Sequence, residues 1–143
     1  MGGRLTRRAI AALAMAPGAA LGGDLAPYHW KSRVLLVFAE EDAPALRDQH
    51  RRIMAARGGM AERDMAVIAV VGAQRVEHWL GAPGQEDAAA LRARFAVPPS
   101  GFAAILLGKD GGEKWRVDRP ADPEEVFALV DTMPMRRREA GQG

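Results

Sequence analysis

Three unbroken apolar runs organise this chain: Arg33–Ala39 (Arg-Val-Leu-Leu-Val-Phe-Ala), Met65–Val71 (Met-Ala-Val-Ile-Ala-Val-Val) and Phe102–Leu107. None alternates with polar residues, which predicts strands covered on both faces. Between the first two, Leu46, His50, Ile53, Met54 and Arg57 recur at helical spacing, while Arg47, Asp48, Arg51 and Arg52 turn outward. Asp42 offers an N-cap, Pro44 suits the first turn, and Gly58-Gly59 supplies a stop. Strand, helix and strand within about forty residues predict a parallel crossover.

Residues 73–85, with Gly81, Pro83 and Gly84, read as a loop, and Glu86–Phe95 as a short helix with Ala88, Leu91 and Phe95 inward. Pro98-Pro99-Ser100-Gly101 is a stiff break, and a cis bond in this segment would fall at Pro98 or Pro99. Gly108-Lys109-Asp110-Gly111-Gly112 predicts a tight hairpin turn into Glu113–Val117, where Trp115 and Val117 alternate with Lys114 and Arg116. Asp122 and Glu125 have capping-box spacing ahead of Val126, Leu129, Val130 and Met133, and Pro134 closes that helix. The order β-α-β-α-β-β-α predicts an α/β fold of thioredoxin-like type, a mixed sheet with helices on both faces.

Residues 1–23 carry Arg4, Arg7 and Arg8 and no acid, then an apolar stretch Ala9–Ala16, then small residues. That is the layout of a secretory signal, with cleavage expected before Leu21. The predicted organisation is a signal peptide at 1–22, one domain at 24–135 and a basic flexible tail at 136–143. The expected location is therefore periplasmic or secreted.

Composition sharpens this. The 143 residues are 48% hydrophobic and 27% charged, enough apolar content for a packed core. There is no cysteine, so disulfides, thiol catalysis and zinc–thiolate sites are excluded. The formal charge is +2, but the first 23 residues account for +3, leaving 17 basic and 18 acidic side chains elsewhere. A near-neutral body lacks the footprint of a nucleic-acid binder, and no apolar run is long enough to span a membrane.

Four segments carry a resemblance: Tyr28-His29-Trp30 before the first strand, Glu62-Arg63-Asp64 before the second, Gly108-Lys109-Asp110-Gly111-Gly112, and Met133-Pro134-Met135-Arg136. In this order and spacing the chain resembles, over about residues 24–139, the exported bacterial domain-of-unknown-function family numbered 4174. That family is similar to a thioredoxin-like, peroxiredoxin-related domain. The resemblance implies the fold and export; it implies no reaction and transfers no catalytic residue.

In a thioredoxin-like fold the reactive thiol sits where the first strand gives way to the first helix, whose dipole favours thiolate. Here that position holds Glu40, Glu41 and Asp42. Facing it would be the loop Pro98, Pro99 and Ser100, so these six residues form the candidate binding groove. Arg136, Arg137 and Arg138 form a candidate anion patch. Gly108–Gly112 departs from a phosphate loop at Ala103 and Asp110. His29, His50 and His78 lack metal-site spacing, with His50 expected partly buried on its helix stripe. No metal, cofactor or catalytic residue is expected. The sequence points to an exported, non-catalytic interaction module for a protein or another anionic envelope component, its oligomeric state open. The alternatives are an envelope enzyme with cysteine-independent chemistry at the first helix terminus, or a structural or stress-response accessory protein.

Overall fold

A computed structural model describes residues 25–142; the leader, with its expected cleavage before Leu21, lies outside them. Five strands form one sheet: β1 (Arg33–Ala39), β2 (Met65–Val71), β3 (Arg75–Leu80), β4 (Ala103–Leu107) and β5 (Glu113–Val117), in the order β3-β2-β1-β4-β5. β1 and β2 run parallel, Leu36 opposite Ile68, and the other neighbours are antiparallel. The helices are α1 (Pro44–Ala55), α2 (Arg57–Glu62), α3 (Ala88–Phe95), α4 (Pro123–Asp131) and α5 (Pro134–Gln142). No helix of the described residues is long and apolar enough to cross a membrane.

The two-residue period of the central strands divides the core into two layers. Leu35, Val37, Val67, Ala69, Ala104 and Leu106 meet Leu46 and Ile53 of α1, Met60 of α2 and Val126, Phe127 and Val130 of α4. Leu36, Phe38, Ile68, Val70, Ile105 and Leu107 meet Ala88, Leu91 and Phe95 of α3, with Leu25 and Tyr28. The sheet therefore carries helices on both faces, as the apolar runs predict.

Several local expectations are corrected. The segment expected as a loop at 73–85 contains β3, whose Arg-Val-Glu-His-Trp-Leu is half-exposed on an outer strand and lacks a continuous apolar signature. Asp42 does not cap α1: it sits at φ +60°, and Ala43 is the N-cap, with no side-chain bond. Arg47 instead donates to the Asp42 carbonyl at 2.9 Å. Asp122 does cap α4, accepting from the Glu124 amide at 3.0 Å, but Glu125 turns to Arg119 and leaves the reciprocal half of the capping box unmade. The polar residue buried on α1 beside Leu46 and Ile53 is Gln49, not His50, which is exposed and packs edge-on to Trp79 at 4.8 Å. Gln49 Nε2 donates to the Ala121 carbonyl (3.0 Å) and its Oε1 accepts from the Ala121 amide (2.7 Å), so a polar side chain is satisfied inside the core.

Gly58 and Gly59 lie within α2, after a break at Ala56, and do not end the helical segment. Their roles differ. A Cβ on Gly59 would stand 2.7 Å from the Phe127 ring, whereas one on Gly58 meets nothing within 4 Å. Gly59→Ala is expected to destabilise the fold by about 1–3 kcal/mol through overpacking. Gly58→Ala should raise stability by about 0.5–1 kcal/mol through helix propensity. Paired urea melts read the sign of each.

Pro134 does not close a helix onto a flexible tail; it opens α5, which carries the residues expected as a tail through Gln142. The Pro98 and Pro99 peptide bonds are both trans.

Candidate functional site

The pole formed by the C-terminal ends of β1 and β2 is where the sequence places its candidate groove. Three acids reach the surface there, but not as one cluster. Glu41 turns aside to Arg75, with both carboxylate oxygens near Nη1 (2.7 and 2.9 Å), and Arg75 also holds Glu77 at 3.0 Å. Glu40 and Asp42 are exposed.

The residue that governs this pole is Arg92 of α3, which the sequence pattern does not flag. It is 5% exposed, and its five N–H donors all point at main-chain carbonyls. Nε donates to Gly72 (2.6 Å), Nη1 to Pro98 (2.7 Å) and Val97 (3.4 Å), and Nη2 to Ala39 (2.9 Å) and Val70 (3.2 Å). Burial lowers its pKa, yet a guanidinium remains protonated. One side chain thus ties the ends of β1 and β2 to the loop entering β4.

That loop, Pro98-Pro99-Ser100, is exposed. Pro98 and Gly101 line a cleft of about 490 Å³ together with Phe102, Arg116 and Arg119. The expected groove residues are therefore brought to one pole but not into one pocket: the proline loop opens toward β5, and Glu41 leans toward β3.

The opposite pole gathers the four segments that carry the resemblance. Trp30 sits at φ +66°, is 59% exposed, stacks on His29 at 4.6 Å, and donates its amide to the Lys109 carbonyl at 2.7 Å. A bulky residue in the left-handed region is uncommon, so this aromatic pair is held in place and not merely left on the surface. The His29 ring bonds the Asp110 carbonyl at 3.0 Å, and Asp110 folds the turn by accepting from the Gly112 amide at 2.9 Å. The amide and then Lys114 hold the Asp110 carboxyl below its ordinary range.

Lys109 is buried, and its Nζ bonds Asp64 (2.9 Å) and Glu139 (2.8 Å). Arg33, 1% exposed, donates to the Arg63 carbonyl (2.9 Å) and to Glu139 (3.3 and 3.4 Å). Arg136 is buried as well, paired with Glu62 (3.0 Å) and Asp131 (3.3 Å), while Arg137 and Arg138 are exposed. The three arginines expected as one exposed patch are split by the helical turn of α5. Neither Arg33 nor Lys109 stands out in the sequence, because the acid that balances both lies far along the chain at Glu139.

A third polar cluster lies on the α3 face. The Glu86 side chain is fully buried, with Oε1 at 2.5 Å from His78 Nε2 and Oε2 accepting from no donor among the described residues. Beside it the Tyr28 hydroxyl donates to the Ala82 carbonyl (3.2 Å), and burial, then Glu86, push its pKa well up. His29, His50 and His78 thus take unrelated places, and no group of three metal-ligating side chains assembles among the described residues.

The acid response follows from these pairs. Arg63 and then Arg136 hold Asp131 below its usual pKa. Burial pushes Glu139 up, but Lys109 and Arg33 outweigh it and the net shift is downward. A carboxylate depressed in the folded state contributes stability that is complete above its unfolded pKa and is lost as pH falls through the folded one. Urea midpoints should be flat between about pH 5 and 7 and drop below about pH 4. Asp131→Asn combined with Glu139→Gln should flatten that drop, and an unchanged slope would move its origin elsewhere.

Among solved structures the chain is similar to a Plasmodium vivax 2-Cys peroxiredoxin, 13% identical, covering 80% of this chain and 84% of that one at a TM-score of 0.59. It is similar to Plasmodium yoelii thioredoxin peroxidase I (16% identical, 80% and 79% covered, TM-score 0.56). A secreted Mycobacterium tuberculosis disulfide oxidoreductase matches at 14% identity, 76% and 86% coverage and a TM-score of 0.50. These likenesses show a thioredoxin-like fold. No curated protein matches the sequence. The family described as Domain of unknown function (DUF4174) matches residues 24–139. That span takes in all five strands and every segment meeting at the Trp30–Lys109 pole, so the chain belongs to the DUF4174 family.

Proposed function

We propose that this protein is an exported thioredoxin-like module that acts by binding and not by turnover, its partner a protein or another anionic envelope component. One observation carries the reading. At the end of β1, where relatives of this fold act through sulfur, the chain has no thiol, and the buried cation at that pole is consumed by five backbone carbonyls. A guanidinium with every donor engaged has none left to polarise a peroxide or a disulfide.

Recognition is assigned to the Pro98-Pro99-Ser100 side of the candidate groove. The cleft beside it carries Asp118 and two arginines, Arg116 and Arg119, held by the surface acids Glu113 and Glu125 in pairs weak enough for an anionic partner to exchange, while Glu40 and Asp42 on the other side would repel one. Arg136 is buried against Glu62 and Asp131, so it does not serve this contact.

The test has three arms. The purified protein should neither consume hydroperoxide nor reduce insulin, and turnover above the protein-free rate overturns the binding reading. Expressed with its leader, it should leave the cytosol with Leu21 as its new N-terminus; retention with Met1 or Gly2 intact defeats export. Crosslinking in the native envelope should yield partners whose recovery falls about fivefold or more when Ser100→Glu and Arg119→Glu reverse the local charge. Undiminished recovery removes the loop from the contact.

A further inference from the structure

Beyond that groove, the opposite pole holds a second site, already occupied by part of the chain itself. Arg33 and Lys109 are cations buried at the start of β1 and just past the end of β4, about as inaccessible as core leucines. A buried charge without a counter-ion is costly enough that such groups are paired or neutralised. Asp64 compensates one of the two, and the second counter-charge is Glu139, bound by Lys109 Nζ at 2.8 Å and by both Arg33 Nη atoms at 3.3 and 3.4 Å.

Glu139 arrives on a poorly anchored element. α5 reads Pro-Met-Arg-Arg-Arg-Glu-Ala-Gly-Gln, with no apolar stripe to bury, and its side-chain bonds to the body are those of Arg136 and Glu139. Of Arg33, Lys109 and Glu139, Glu139 alone is substantially exposed, 27%, so it is the member that can leave for water if another carboxylate takes its place. Removing Glu139 would leave Arg33, Lys109 and Asp64 with a net charge of +1. Next to these cations lies a cleft of about 540 Å³, lined by Leu129, Met133 and Met135, by Arg33 and Lys109, and by Asp110 and Lys114, which neutralise each other at 2.9 Å. That volume lies in the range of small-ligand sites, and methionines adapt to the shape of an aliphatic guest.

We infer that Arg33 and Lys109 form a carboxylate-binding site for an aliphatic monocarboxylate, free or as the apolar C-terminus of a peptide, and that Glu139 is its built-in, displaceable occupant. The guest's carboxylate takes over the Lys109 and Arg33 donors, its chain lies against Leu129, Met133 and Met135, and the turn of α5 that carries Glu139, beyond the Arg136 anchor, is released from the body. The step is exchange of one carboxylate for another, so the charge of the site is conserved.

Calorimetry on the purified full chain tests this, with octanoate as probe, octanol as its uncharged control, and an acetylated tripeptide ending in leucine as free acid or amide. Glu139→Ala should bind octanoate or the peptide acid about tenfold or more tightly than the wild type, because the internal competitor is gone. Adding Lys109→Met to that variant should abolish binding, and octanol and the amide should fail throughout. Preference for octanoate assigns a free aliphatic acid, and preference for the peptide acid assigns a chain terminus. Should Glu139→Ala not fold, Glu139→Gln replaces it with a gain in the same direction. A second readout uses the wild type alone: saturating acid should accelerate amide exchange in α5 and leave β1 protected. Equal affinity with and without Glu139, no binding by either, or octanol binding as well as octanoate overturns the inference.

Discussion

Replacing Arg92 with methionine is expected to cost about 3–5 kcal/mol of folding stability, among the largest effects a single substitution produces. The methionine fills a similar volume, so the loss is not a cavity. It is the loss of the one donor group shared by the carbonyls of Ala39, Val70, Gly72, Val97 and Pro98; Ala39 keeps the Gly72 amide (2.8 Å) and Pro98 the Gly101 amide (2.9 Å), so the stranding falls hardest on Gly72 and Val97. Each buried acceptor left unpaired costs about 1–3 kcal/mol, reduced wherever water enters as the proline loop loosens. Lysine should rescue little, since a single ammonium has three donors on a point and cannot span five carbonyls set around a plane. Urea denaturation reads the total, and amide exchange localises it to the ends of β1 and β2 and to residues 97–101. Stability within about 1 kcal/mol of the wild type would mean that other donors hold these strand ends.

The second large effect is expected at Gln49. Its amide meets both main-chain groups of Ala121 with matched polarity, at 3.0 and 2.7 Å, in a fully buried setting. Gln49→Leu keeps the size and removes both bonds, leaving the Ala121 N–H and C=O without partners, a cost of about 2–4 kcal/mol. Gln49→Glu should be no better: a carboxylate oxygen would face the Ala121 carbonyl, setting acceptor against acceptor inside the core. The Ala121 amide should exchange markedly faster in both variants. A leucine variant as stable as the wild type would show that the segment entering α4 is fixed by packing alone.

How far the sequence reveals this molecule depends on where each residue's partners lie. The apolar runs of β1, β2 and β4 are legible because strands covered on both faces need no polar positions. Asp-Gly-Gly at 110–112 is equally legible, for the turn chemistry is local: Gly111 takes φ +83° and Asp110 bonds the Gly112 amide. β3 escapes notice because an outer strand keeps Arg75 and Glu77 partly in solvent, and a bulge opposite Val67 and Ile68 breaks the alternation, so that Val76 packs on one core layer and Leu80 on the other. Asp42 looks like a cap by type, yet its left-handed backbone leaves the N-cap position to Ala43.

The site residues are hidden for a different reason. Gln49 answers to Ala121, 72 positions on, and Arg33 to Glu139, 106 positions on. Periodicity sorts side chains by polarity, and by that rule Arg33, Gln49, Arg92 and Lys109 all belong in water. Each is buried because a distant backbone or carboxylate completes it. The one early pointer to the Lys109 pole is the set of segments shared with the family, of which pattern alone reads Gly108–Gly112 as a hairpin turn and Pro134 as a helix end.

The two outer strands have a bearing on self-association. β3 presents Arg75 joined to Glu77 at 3.0 Å, and β5 presents Arg116 joined to Glu113 at 2.8 Å. A second molecule adding its own strand at either border would have to insert beside ion pairs that are already closed and hydrated. Charged borders of this kind discourage edge-to-edge growth. The borders thus favour, for any assembly of several copies, contacts made by side chains over continuation of the ladder.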